Sequence, residues 1–130
     1  MHLINLEKMF NFKSHRPWLL IIYVVIMFSN SIFSFIDIPI QHIWKYDKFI
    51  HFGEYFVLGI LLFYVLYEKQ ISKRNLMYSI VVVSLIPILD ESIQHFIPSR
   101  ISSLYDVFAD YLGCYSGSFI YHTINRIYNG

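Results

Sequence analysis

The sequence predicts an all-α fold, a polytopic transmembrane bundle of about four helices with both termini in the cytoplasm. Hydrophobic residues make up 56% of the 130 residues and charged residues only 15%, whereas soluble domains average about 45–50% and about 25%. The mean hydropathy is +0.49. The few charges also cluster, and they leave long apolar stretches between them. This composition argues against a soluble enzyme and against a disordered chain.

Charge and cysteine content exclude further classes of protein. Ten Lys and Arg residues against nine Asp and Glu residues give a net charge of +1, so we expect no nucleic-acid partner. Cys114 is the single cysteine, which excludes an intrachain disulfide. No repeat or linker divides residues 1–130, and we expect one domain. A soluble bundle is the alternative, but a helix that is apolar on every side needs lipid or a deep core.

The first predicted helix is Pro17–Ile36, a stretch of 20 residues without a formal charge. At about 1.5 Å per residue it spans a bilayer core of about 30 Å. Lys8, Lys13 and Arg16 precede it. A cleaved signal peptide has the same polarity, but its apolar region is usually only about 7–15 residues long. We therefore expect a retained membrane helix.

Three further spans are predicted, each with ionisable residues at one end: Phe49–Tyr67, Leu76–Ile97 and Ser103–Ile124. Lys and Arg are enriched in cytoplasmic loops of membrane proteins. Four spans place seven of these residues on the side of the termini and three on the other side, in the predicted outer loops Asp37–Lys48 and Pro98–Ser102. The termini are therefore predicted to be cytoplasmic.

This topology brings the polar residues of three helices to one depth near the outer face. An ionisable group in mid-membrane costs about 2.5–3.5 kcal/mol on insertion scales, and such groups usually mark a functional site. The candidate catalytic residues are Asp47, His51, Asp90, Glu91, Asp106 and Asp110. The candidate ligand-binding residues are Lys48, His51, Tyr55, Gln94 and Arg100.

Structural readings compete with a functional one at several of these positions. Asp47 can stabilise the start of a helix through the helix dipole, and Glu91 can form a clamp with Arg100. Ser103-x-x-Asp106 matches a capping box, in which the Asp106 carboxylate accepts from the Ser103 backbone N–H. A stripe of small residues predicts close helix packing; it comprises Ala109, Gly113 and Gly117.

Three polar blocks carry a resemblance to a known family. They read Asp47-Lys48-x-x-His51-Phe52-x-x-Tyr55-x-x-Leu58-Gly59, Asp90-Glu91-x-x-Gln94-x-Phe96-x-Pro98-x-Arg100 and Asp106-x-x-Ala109-Asp110-x-x-Gly113. In order and spacing, over residues 45–120, the chain resembles the VanZ-like integral membrane proteins. It departs from their pattern at Asp110, where the family usually has Asn.

The resemblance implies a small multi-pass protein of the bacterial cytoplasmic membrane. The founding member of the family is linked to resistance to teicoplanin, a glycopeptide antibiotic that acts on cell-wall precursors. We expect the chain to engage an anionic envelope amphiphile, either a lipid-linked wall precursor or a phospholipid, with Arg100 as a phosphate contact. The alternatives are a metal-assisted hydrolase or transferase acting on a lipid-linked substrate, and a structural or assembly protein. The sequence assigns no cofactor, no metal and no oligomeric state.

Overall fold

The computed structural model describes residues 11–33, 40–67, 73–97 and 102–129. Within these ranges the chain forms four helices and no strand: α1 (Arg16–Phe33), α2 (Ile40–Leu66), α3 (Lys73–His95) and α4 (Leu104–Asn129). The predicted all-α class is confirmed. Three segments are long and apolar enough to cross a membrane: Arg16–Phe33, Tyr46–Leu66 and Leu76–His95. The cytoplasmic placement of the termini stays a prediction.

The start of α2 differs from its predicted position. The helix begins at Ile40 rather than Phe49, so much of the predicted outer loop Asp37–Lys48 is helical. No proline interrupts the chain between Ile40 and Leu66, and apolar residues continue upstream of the first charges. Asp47 consequently lies about two turns inside the helix. The reading of Asp47 as a stabiliser of the first helical turn is therefore wrong.

Helix α4 has its polar residues inside and its apolar residues outside. Its buried positions are Asp106, Asp110, Gly113, Cys114, Gly117 and Ser118. Its exposed large side chains include Leu104, Tyr105, Phe108, Leu112, Tyr115 and Phe119. The helix is not among the segments that qualify as spans by composition, because an average over its length combines these two faces. Its predicted crossing at Ser103–Ile124 stays a prediction, which the apolar outer face supports.

The described part of the bundle, taken as a whole, also buries polar residues and exposes apolar ones. Nine buried polar or charged residues accompany eight buried hydrophobic ones, while large apolar side chains cover the outside of all four helices. The apolar core lies between the helices and includes Met27, Leu58, Leu62 and Val83. Buried ionisable residues are rare in water-soluble proteins unless they are paired. Exposed apolar surface of this extent indicates lipid as the solvent.

Helices α2 and α4 make the most extensive helix–helix contact of the described residues. Glycines bring their backbones together. A Cβ atom on Gly59 would overlap the carbonyl oxygen of Cys114, and one on Gly117 would overlap that of Phe56. Gly113 is equally close to α2. Such close approach is typical of small residues at membrane helix interfaces. We call Gly59, Gly113 and Gly117 the glycine seam.

Candidate functional site

The first half of α2 supplies one side of a buried polar cluster. Asp47, His51 and Tyr55 follow one another at intervals of four residues, so they lie on one face of the helix. That face is directed into the bundle, because His51 is 4% exposed and Tyr55 is fully buried. The glycine seam holds α4 against the same helix, and the polar half of α4 therefore meets this face.

His51 lies between carboxylates of two helices. Its Nδ1 is 2.9 Å from Oδ1 of Asp110 on α4. Its Nε2 is 3.9 Å from Oδ1 of Asp47, one turn earlier on α2. Asp110 is fully buried, and its second oxygen, Oδ2, has no hydrogen-bond partner among the described residues. The imidazole ring thus hydrogen-bonds one buried carboxylate and has a second carboxylate near its other nitrogen.

Helix α3 adds Asp90, which is 1% exposed. The Tyr55 hydroxyl and the Gln94 side-chain amide both donate to its Oδ2, each over 3.3 Å. Its Oδ1 has no partner within the part of the chain that the structure describes. Two donors therefore orient the carboxylate from one side and leave its other oxygen free. This is the arrangement expected of a ligand carboxylate that neighbouring hydrogen bonds hold in place.

Glu91 contacts the start of α4 instead of sharing the face of Asp90. Its Oε1 accepts a hydrogen bond from the backbone N–H of Ser103, and the Ser103 hydroxyl accepts from the N–H of Tyr105 over 3.2 Å. The predicted capping box is therefore wrong in its second half. The N–H that Asp106 was expected to bind is taken by a carboxylate from another helix, and Asp106 has a different partner.

That partner is Lys48. Its Nζ lies 3.2 Å from Oδ1 of Asp106. The two side chains differ sharply in exposure, 38% for the lysine and 2% for the aspartate. The ammonium group thus sits at the edge of the cluster, with the acid behind it. Arg100, the other predicted cation of the site, lies outside the described residues.

Helix α1 contacts α2 through two polar side chains, which the sequence patterns did not indicate. The side-chain amide of Asn30 donates to Oε1 of Glu54 over 2.8 Å, and the Tyr23 hydroxyl donates to the Glu54 carbonyl oxygen over 2.8 Å. Asn30 is the one carboxamide residue in the sequence of α1. A polar amide in an otherwise apolar membrane helix is the signal that could have identified this contact.

Two groups of side chains have the composition and proximity of metal ligands among the described residues. One consists of His51, Asp90 and Asp110, all buried, and the other combines His51 with Asp47 and Asp106. In each group the three ligand atoms lie within 4.8 Å of one another. Imidazole and carboxylate are suitable ligands for Zn²⁺ and related divalent ions. The cluster is also rich in acids that can accept hydrogen bonds from hydroxyl groups.

The structure brings most predicted site residues together and places them at different depths of the bundle. His51, Tyr55 and Gln94 surround the carboxylates of Asp90 and Asp110. Lys48 and Asp47 lie nearer the exterior, while Glu91 binds the start of α4. Ala109 is half-buried beside the glycine seam. Gly59 completes that seam from α2, and the spacing along α4 alone could not indicate it.

Comparison with known proteins agrees with the resemblance that the three polar blocks carry. A family model described as VanZ/LLP1 matches residues 2–125 of the chain, nearly its whole length. No significant match was found among curated proteins or among solved structures.

Proposed function

Because this chain belongs to the VanZ/LLP1 family, we propose that it engages an anionic amphiphile of the cell envelope at the outer leaflet of the bacterial cytoplasmic membrane. The ligand class is a lipid-linked wall precursor or a phospholipid. The membrane-helical architecture supports a partner of this kind, because the polar cluster and the lipid-facing surface lie on the same helices. A ligand with a charged headgroup and an apolar chain can contact the polar cluster with the one and the lipid-facing surface with the other.

The observation that carries the proposal is the position of Lys48. Its half-exposed ammonium group stands at the edge of a buried cluster, and an ammonium group binds phosphate as a compact point charge. Phe49, the next residue, is 73% exposed, and Leu104 at the start of α4 is 86% exposed. A headgroup phosphate at Lys48 would therefore have apolar surface beside it for the attached chain.

The acids of the cluster have a role in this proposal as well. Asp47 is partly exposed and lies next to Lys48 in the chain, where its carboxylate can accept from a sugar or glycerol hydroxyl. His51 and Gln94 would assist from deeper in the bundle. Arg100 is proposed from its position in the sequence as a second phosphate contact.

Photo-crosslinking of the full chain in liposomes with a polyprenyl-phosphate analogue tests the proposal. We expect Lys48→Gln to reduce labelling severalfold. Lys73→Gln is the matched control, since Lys73 is an exposed lysine at the opposite end of the bundle, and its labelling should match that of the wild type. Equal labelling of both variants would overturn the role of Lys48. Arg100→Gln extends the test to the predicted second cation.

Engagement of a lipid-linked precursor would also alter teicoplanin susceptibility, because the antibiotic acts on the same class of molecule. Expression in a susceptible bacterium should raise the teicoplanin concentration needed to stop growth, and the Lys48→Gln protein at equal abundance should not. Unchanged susceptibility with the wild-type chain would limit the proposal to phospholipid.

A second candidate function is a metal-assisted hydrolase or transferase that acts on a lipid-linked substrate. The excess of acids at His51, together with the free oxygens of Asp90 and Asp110, favours it. Release of phosphate from a polyprenyl diphosphate by the purified protein, lost in Asp90→Asn, would support catalysis. A purely structural role predicts instead that the same variant lowers protein abundance. A stable, abundant Asp90→Asn protein without function would contradict that role.

A further inference from the structure

We propose that His51, Asp90 and Asp110 together bind one divalent cation, Zn²⁺ or Mn²⁺, inside the helical bundle. The three residues come from α2, α3 and α4, and each offers one ligand atom within 4.8 Å of the others. Two ligands of one ion at about 2.1 Å can lie up to about 4.2 Å apart. Small adjustments of these side chains therefore close the group around an ion.

The first independent observation is the free oxygen of Asp90. Both donors to this carboxylate, Tyr55 and Gln94, bind Oδ2, and Oδ1 is left without a partner at a side chain that is 1% exposed. A buried carboxylate oxygen without a donor carries a large desolvation cost. A cation would supply the missing interaction, and the two donors would keep the carboxylate in position for it.

Asp110 repeats this pattern on α4. Its Oδ1 contacts His51, while its Oδ2 is buried and unpartnered within the described residues. The far nitrogen of the His51 ring is directed to Asp47 at 3.9 Å. A histidine that binds a metal through one nitrogen usually presents the other to a carboxylate or carbonyl, which orients the ring. Asp47 is positioned for that second role.

Charge decides between the two possible ligand groups. In the group formed with Asp47, the carboxylate of Asp106 already pairs with the ammonium group of Lys48, and a divalent cation there would face a like charge. Among the described residues, no Lys or Arg side chain forms an ion pair or hydrogen bond with the group that contains Asp90. Two carboxylates and one neutral imidazole also balance the charge of a divalent ion at a buried site.

Three protein ligands leave at least one coordination position for another donor. The mixed nitrogen and oxygen donors suit Zn²⁺ and Mn²⁺ better than the all-oxygen sites that Ca²⁺ prefers. This inference deepens the proposed function and rests on it for the identity of the outer ligand, which would be a phosphate oxygen of the headgroup bound at Lys48. Water is the alternative donor in the absence of that headgroup.

Metal binding by the purified full chain in detergent tests the site. The protein is stripped with a chelator, incubated with ZnCl₂ or MnCl₂ alone, desalted and analysed for metal by mass spectrometry. We expect about one ion per chain in the wild type, with affinity at least about tenfold weaker in Asp90→Asn and Asp110→Asn. Glu54→Gln is the matched control, because Glu54 is a half-buried acid of α2 outside the ligand group.

Two measurements keep the test decisive if a variant folds poorly. Gel filtration and circular dichroism identify misfolded variants. Titration of the wild type with Co²⁺ should produce a visible absorption band that Zn²⁺ abolishes, and this needs no variant. A wild-type protein that binds no stoichiometric ion overturns the inference. Full metal content in both folded Asp→Asn variants also overturns it.

Photolabelling of the chelator-treated protein separates this inference from the proposed function. If the protein is labelled by the lipid but takes up no stoichiometric ion when metal is restored, the cation site is overturned and lipid engagement stands. If the protein takes up a stoichiometric ion when metal is restored but is not labelled by the lipid, the cation site is supported and lipid engagement is overturned. Labelling that increases when ZnCl₂ or MnCl₂ is restored would support both, since the ion would then contribute to headgroup binding.

Discussion

The two ends of the bundle differ in how their polar groups are held. At the acidic end, which we define by His51, Asp90, Asp106 and Asp110, the side chains are buried and contact polar groups of neighbouring helices. The aromatic end consists of half-exposed or exposed residues, namely His15, Arg16, Tyr64, Tyr67, Tyr121 and His122. Both ends are polar, but only one of them is closed to the exterior.

The contacts at the aromatic end overlap and can replace one another. Arg16 lies 4.3 Å from the ring centroid of Tyr64 and also donates to its carbonyl oxygen over 3.1 Å. The hydroxyl of Tyr64 is 3.1 Å from Nε2 of His15. Tyr67 hydrogen-bonds His122, and its ring lies tilted against that of Tyr121. Aromatic and basic residues of this kind are typical of the membrane–water interface. Water or lipid headgroups can replace any partner lost there, whereas Asp90 and Asp110 at the acidic end are buried away from such replacements.

The largest loss of folded protein is expected from a substitution in the glycine seam, which holds α2 and α4 together at the acidic end. Gly117→Leu would force α4 away from α2, since even a Cβ overlaps the backbone of Phe56. We expect little folded protein in gel filtration of the detergent extract. Gly53→Ala is the control, because nothing lies within 4 Å of a Cβ at that position, and it should fold normally. Normal assembly of Gly117→Leu would show that the seam is not needed.

The next effect is expected from removing a carboxylate at the acidic end. Asp110→Ala leaves His51 without its buried hydrogen-bond partner, which should cost about 3 kcal/mol, the upper end for a buried donor left without an acceptor. Asp110→Asn keeps an acceptor for the imidazole and should lose less, about 1–2 kcal/mol. Unfolding in detergent with increasing denaturant measures both. Equal losses in the two variants would show that the contact with His51 is not responsible.

A smaller effect is expected where α3 meets the start of α4. Glu91→Ala removes the acceptor of the Ser103 N–H, which should cost about 1 kcal/mol because that hydrogen bond is only partly buried. Glu91→Gln retains an acceptor and should recover most of the stability. Hydrogen exchange of the amides at the start of α4 reports the contact directly. Unchanged exchange of the Ser103 amide in Glu91→Ala would contradict its assignment.

The smallest effect is expected at the aromatic end. Arg16→Gln removes a cation–π contact that is worth about 0.5–1 kcal/mol at an exposed site, and Tyr67→Phe removes a hydroxyl that the interface can replace. Denaturant unfolding should show a loss of under about 1 kcal/mol for either variant. A loss as large as that of Asp110→Ala would abolish the contrast between the two ends.

Much of the acidic end was predictable because helical spacing and composition are local properties. The intervals between Asp47, His51 and Tyr55 place them on one helix face whatever the rest of the chain does. The small residues of α4 likewise indicated a close helix contact before its partner was known. The contribution of Asn30 was not predictable in the same way, since an isolated amide has no period and its partner is 24 residues away.

The sequence by itself determined the all-α class, the membrane as solvent and which polar residues belong to the candidate site in most cases. Each of these follows from composition or from spacing within one helix. Only the tertiary structure decided the pairings: His51 with Asp110, Lys48 with Asp106, and Ser103 with Glu91 rather than with Asp106. These pairings depend on how α2, α3 and α4 are placed side by side. That placement is set by side-chain volume and by the glycine seam, and local sequence does not specify which carboxylate then lies closest to a given donor.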